Sequence, residues 1–177
     1  KQERSADLSG ELLIAATVSV FGQKGTDREK QAAASLKALI DLRTKLEKIP
    51  FNSEDKEPHK SFLKANEKSV VYNEPAGQWI VRSEVFWELR EKYSDLAIAD
   101  EIAWEAARNP IPGECEGYMN CGVYLSQITS VRYLSFYPAG KNSEAALGEL
   151  NEWFASYADE SQAGTSYFPP EDASDKA

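Results

Sequence analysis

Apolar and polar positions in this chain recur mostly at helical spacing. From Thr26 to about Lys48, residues Ala32, Leu36, Leu39, Leu42, Leu46 and Ile49 share one face with charges opposite, which predicts an amphipathic helix stopped by Pro50. Thr26 and Glu29 stand at capping-box spacing at its start. Ahead of it, Leu8 to Phe21 is predominantly apolar. Val18 and Val20 alternate with Thr17 and Ser19 as in a buried strand, but Gly22 sits where a helix would stop, and this favours a helix. Gln23 to Gly25 would turn the chain, making residues 8–49 an antiparallel N-terminal helical hairpin.

The stretch from Ser83 to Tyr157 reads as two further hairpins. Each has an aromatic-rich helix ending near a tyrosine, a short turn, and an alanine-rich helix. In the first, SEVFWELREKY leads through SDL to AIADEIAWEAARN, where Ile98, Ile102 and Ala106 are flanked by Ala99 and Ala103. In the second, GVYLSQITSVRYLSFYP leads through AGKN to a helix striped by Ala146, Leu150, Trp153 and Tyr157. Ser94 or Asp95, and Asn142 or Ser143, are the expected N-caps, and Glu144 suits the positive end of its helix. Pro138 and Gly140 stop the helix before it. The shared layout amounts to a weak internal repeat.

Between these units, Ser69–Tyr72 and Gln78–Val81 are β-branched and aromatic runs around Asn73-Glu74-Pro75-Ala76-Gly77, which predicts a β-hairpin over 69–82. Two strands alone are marginal, so the hairpin must lie on the helices or pair with another chain; an open edge would offer β-augmentation. Phe51 to Lys60 reads as a polar loop holding the lone His59. The fold class is therefore mainly α, a single domain of helical hairpins with a small β-hairpin, followed over 158–177 by an acidic tail short of aliphatics and expected to be disordered.

Tyr133-Leu134, Tyr137-Pro138, Gly140 and Ala146-Leu147 resemble the wording of tetratricopeptide-like repeats, common in bacterial envelope lipoproteins and assembly factors. The resemblance covers residues 118–157 and implies helical-hairpin packing and a role in binding other proteins.

Charge narrows the partners. A net charge of −9 lacks the basic face that nucleic acid requires and disfavours an anionic membrane surface. No apolar run is long enough to span a bilayer. The start at Lys1 suits a processed chain from which an export signal was removed, and equally a cloned fragment. Cys115 and Cys121, close together beside a Gly- and Pro-containing loop, would form a local disulfide in an oxidising compartment such as the periplasm or extracellular space; a reducing cytoplasm would leave two thiols. A zinc site would need further ligands, and neither metal nor cofactor is expected.

The chemistry-bearing candidates are few. Glu114 and Glu116 flank Cys115 and could serve as general acid and base in a small hydrolase or lyase if they converged in a desolvated cleft. No phosphate-binding glycine loop, GxSxG, HExxH or CxxC motif occurs. Aromatic residues are abundant in the second half, and Trp79, Trp87, Trp104, Tyr167 and Phe168 are the expected partner-binding positions. The expectation is a non-catalytic, extracytoplasmic protein–protein interaction module, an accessory subunit of a larger assembly. It requires an apolar-aromatic surface patch rather than a deep polar pocket.

Overall fold

The computed structural model describes residues 8–115 and 119–163, with the backbone alone at residues 8–26, at Met119 and Tyr157, and over 159–163. The chain is mainly helical, in the order α1 (Leu8–Leu46), α2 (His59–Ala65), β1 (Val70–Asn73), β2 (Gln78–Val81), α3 (Ser83–Lys92), α4 (Ala99–Ala107), α5 (Met119–Ile128), α6 (Ser130–Phe136) and α7 (Ser143–Ala163).

The first correction concerns residues 8–49. They do not form a hairpin: α1 is one helix of 39 residues, about 58 Å long at roughly 1.5 Å per residue. Gly22 and Gly25 each weaken a helix by only about 1 kcal/mol relative to alanine, and no proline lies between Leu8 and Leu46 to remove a hydrogen bond. Thr26 and Glu29 consequently lie inside the helix. The predicted apolar face is real, with Ala32, Leu36, Leu42 and Leu46 buried and Leu39 and Ile49 partly so. It packs against β2 and α3. The helix ends in a tightening turn before Pro50, where the Ile49 N–H donates to the Leu46 carbonyl.

Residues 51–60 are largely exposed loop, but His59 opens the short helix α2, whose Leu63 reaches the core. The β-hairpin forms as expected, antiparallel, pairing Val70 with Val81 and Asn73 with Gln78. Val70, Ile80 and Val81 are buried, so the two strands gain their stability from the helices beneath. Gly77 turns the hairpin at φ +62°, and a Cβ there would also lie 3.2 Å from the Phe51 ring.

α3 packs on α4, and α6 on α7, with α4 against α6. The predicted alanine stripe lets α4 approach closely: Ala99, Ile102, Ala103, Ala106 and Ala107 are all buried, beside Phe86, Trp87 and Tyr93 of α3. Two of the four candidate caps, Asp95 and Ser143, make other contacts. Asp95 does not cap α4, because its carboxylate takes a bidentate contact from the Arg28 guanidinium at 2.5 and 2.9 Å. Ser143 does not accept from its helix; its hydroxyl donates to the Tyr137 and Gly140 carbonyls at 2.8 and 2.9 Å, closing the α6–α7 turn.

The stretch expected as one helix before Pro138 is divided at Thr129, which leaves helical geometry at φ −112° and ψ −104° and separates α5 from α6. Its hydroxyl donates back to the Leu125 carbonyl at 2.6 Å, the side-chain competition that bends or ends helices. α7 continues through Ala163, six residues beyond Tyr157, so the start of the acidic segment is helical; residues 164–177 lie outside the described residues.

Candidate functional site

Two neighbouring places on α6 concentrate the polar and aromatic chemistry of the C-terminal half. The first is a joint around Tyr133, which is fully buried. Its hydroxyl donates to Asp100 Oδ1 of α4 at 2.6 Å and accepts from the Asn142 N–H at 3.1 Å. The other Asp100 oxygen accepts from the Lys141 N–H at 2.9 Å. Burial, and the bond to Asp100, raise the Tyr133 hydroxyl above the ordinary tyrosine range. Gly140 completes the joint: a Cβ there would lie 2.7 Å from the Tyr133 hydroxyl, 2.8 Å from Tyr137 Cβ and 2.9 Å from Asp100 Oδ2. The Tyr133 hydroxyl and both Asp100 oxygens find partners within the protein, so the joint binds α4 to the α6–α7 turn.

The second place is a cleft of about 500 Å³ between the start of α3, the loop after α4, and α5–α6. Local sequence builds each wall. The loop 109–115 is held against the hairpin: Asn109 Nδ2 donates to the Val81 carbonyl at 2.7 Å, and the Gly113 N–H donates to Asn73 Oδ1 at 3.3 Å. The Cys115–Cys121 disulfide then ties the far end of that loop to α5. Trp87, Val71, Ile111, Leu125 and Ile128 supply apolar lining, while Arg82, Glu84, Glu114, Tyr124 and Arg132 supply the polar or exposed part. Tyr124 is 58% exposed.

Arg132 carries its guanidinium 4.2 Å from the Trp87 ring centre. Phe136, one turn further along α6, lies 6.2 Å from Trp87 and receives the Arg90 guanidinium at 3.8 Å from its centre. Arg90 is steadied by donating from Nε to the Tyr137 hydroxyl at 3.1 Å. The result is a ridge of two aromatic rings flanked by two guanidinium groups, with Phe136 44% exposed. Arg28, Lys37, Arg43 and Arg108 each have a carboxylate partner. Arg82, Arg90 and Arg132 have none among the described residues.

A second groove of about 330 Å³ lies on the other side of the disulfide, between α5 and α7, where Ser130 Oγ donates to Glu149 Oε2 at 3.4 Å. Cys115 borders both cavities, so the disulfide is a shared wall.

The sequence-selected residues do not converge as a set. Trp87 is only 6% exposed, which removes most of its ring from a free surface, and it contributes the floor of the cleft. Trp79 is half-buried on the β-hairpin, 5.5 Å from Tyr72, with its indole N–H buried and unpaired among the described residues. Trp104 is half-buried, edge-on to Tyr133 at 5.2 Å and 5.3 Å from the Arg108 guanidinium. Both belong to internal packing more than to a docking face. Tyr167 and Phe168 lie outside the described residues, as does Glu116. Glu114 is exposed on the cleft rim, a solvated setting rather than the desolvated one an acid–base role asks for. The cysteines are bonded as expected for an oxidising compartment.

The residues that sequence reasoning passed over are Tyr124, Arg132, Phe136 and Arg90. A signal existed: Trp87 and Arg90 are three apart on one helix, Arg132 and Phe136 four apart on another, so each pair shares a helix face. Chemically the cleft provides apolar lining and guanidinium N–H donors. Among the described residues no cluster of His, Cys, Asp or Glu could hold a metal ion, and no helix is long and apolar enough to cross a membrane. The chain matches no family model, and no curated protein or solved structure shows significant similarity to it.

Proposed function

We propose that this protein is a non-catalytic protein–protein interaction module of an extracytoplasmic compartment, an accessory subunit that docks a partner in the cleft beside Trp87. The observation that carries the reading is the guanidinium of Arg132 over Trp87, 4.2 Å away, beside the exposed Tyr124 ring. Tyrosine, tryptophan and arginine are the residue types that dominate binding hot spots, because each combines a large apolar area with directed polar contacts. The helix pairs α3–α4 and α6–α7 act in this reading as tetratricopeptide-like hairpins, stacked through Tyr133, that hold the cleft rigid. The Cys115–Cys121 bond supports an oxidising location.

The test is capture with the intact protein as bait, comparing wild type with Tyr124→Ala, Arg132→Gln and Glu114→Gln. A specific partner should be retained by wild type and Glu114→Gln and lost with the other two. An identical capture profile for all four proteins defeats the reading. Hydrolytic or lyase turnover abolished by Glu114→Gln would replace it with an enzyme.

A further inference from the structure

The arginines around this cleft say what chemistry its occupant brings. The chain holds 29 acidic residues against 20 lysines and arginines, so a guanidinium without a carboxylate is not explained by shortage of acids. Arg132 is nevertheless exposed, with its guanidinium 4.2 Å from the Trp87 ring centre, and unpaired among the described residues; Arg82, in the same lining, is likewise exposed and without a carboxylate partner among the described residues. A guanidinium held over a ring face keeps N–H groups with which it can bond a planar carboxylate at two points. Beneath it the lining is apolar: Trp87, Leu125 and Ile128, with Tyr124 at the side. Glu84 and Glu114, which share the lining with the two arginines, disfavour a run of several acids.

Resting on the docking reading above, we infer that the cleft receives an extended segment of a partner protein in which one acidic residue stands next to a large apolar one. The carboxylate pairs with Arg132, and the apolar side chain enters between Trp87 and Tyr124. The chain's net charge of −9 repels a strongly acidic partner at long range, but that repulsion is screened beyond roughly 8 Å at physiological salt. Recognition is therefore by contact, and a single carboxylate is favoured over an acidic tract.

A displayed library of random peptides selected on the immobilised intact chain tests this, with the enriched peptides then titrated by fluorescence polarisation. The expected consensus has Asp or Glu adjacent to an aromatic or long aliphatic residue. Arg132→Gln should weaken such a peptide by about tenfold or more, Arg132→Lys should recover part of the loss, and amidating the peptide carboxylate should add nothing further in Arg132→Gln. Thermal melts confirm that each variant is folded. A consensus without acids that is still lost in Tyr124→Ala overturns the acidic occupant and leaves the docking cleft standing. Peptides indifferent to both Tyr124→Ala and Arg132→Gln, or no enrichment over a surface carrying the double variant, overturn both.

Discussion

Arg132 and Tyr133 are adjacent in sequence and opposite in fate. Tyr133 faces α4, is fully buried, and has its hydroxyl bonded to Asp100 and to the Asn142 N–H. Arg132 points the other way, over Trp87, with its charge unpaired among the described residues. Both sites are built from an aromatic ring and a polar partner, on the same seven-residue helix. The difference lies in satisfaction: the joint has used its hydrogen bonds internally and so contributes rigidity, whereas the cleft has left donors and apolar area open to another molecule. On the proposed reading, architecture and recognition are separated by a rotation of one residue around α6.

The strongest way to break this contrast is to attack the joint without touching the cleft. Gly140→Ala would place a methyl within 3 Å of Tyr133, Tyr137 and Asp100 atoms, all three on packed or hydrogen-bonded groups that cannot move freely. A loss of about 2–4 kcal/mol in urea unfolding is expected. Under conditions where the variant stays folded, binding at the cleft should persist. Next in size, Asp100→Ala removes the acceptor of the buried Tyr133 hydroxyl and of the Lys141 N–H, and should cost about 1–3 kcal/mol. Tyr133→Phe should cost about 1–2 kcal/mol, because the Asn142 N–H loses its acceptor while the partly exposed Asp100 keeps the Lys141 N–H.

Reduction of the disulfide probes the other side. The two cysteines are six residues apart in sequence, and the loop-entropy model gives about 2 kcal/mol for so small a ring. Melting with and without reductant measures it. Peptide binding should weaken more than stability does, since Cys115 and Cys121 line the cleft and not the joint.

Titration sharpens the comparison further. The Tyr133 hydroxyl is held above the ordinary tyrosine range by burial and by Asp100, so the folded state keeps its proton longer than the unfolded chain. Its contribution is complete below the ordinary value near 10 and is lost as pH rises from there through the raised folded value. Stability should fall in that alkaline window, and Tyr133→Phe should flatten the fall. The smallest effect belongs to Arg28 and Asp95, both exposed. The Arg28 hydrogen bond lowers the Asp95 carboxyl below 3.8, so its contribution is present above that pH and fades as pH drops through the folded value. Asp95→Asn should shift the acid limb of the unfolding curve only slightly.

How much was legible in advance differs by element. The Ala32–Leu46 face, the alanine stripe of α4 and the hairpin turn at Gly77 were readable because period and turn chemistry are local. The spurious break near Gly22 came from treating glycine as a stop. A glycine stops a helix only when a tertiary contact or a following breaker makes the end favourable, and neither Gly22 nor Gly25 has a proline after it to do so. The break at Thr129 ran the other way: a serine- and threonine-containing apolar run looked continuous, and the hydroxyl bond to Leu125 divided it. At the site, the disulfide pairing followed from two nearby cysteines, but tryptophans were chosen by type, and type does not reveal which ring is covered. Trp79 and Trp104 are half-buried, while Tyr124 and Phe136, which are more exposed, were left out.

By itself the sequence determined that this chain is helical around a small hairpin, where its apolar stripes lie, that proline ends α1, and which two sulfurs can meet. Those properties depend on residues within a few turns of one another. Tertiary structure alone decided that Tyr133 meets Asp100, that Gly140 must lack a side chain, and that Arg132 lies over Trp87 with no carboxylate paired to it among the described residues. The pairs Tyr133–Asp100, Gly140–Asp100 and Arg132–Trp87 lie 33, 40 and 45 positions apart, and only the packing of α4 and α3 against α6 and its following turn brings such distant atoms within reach.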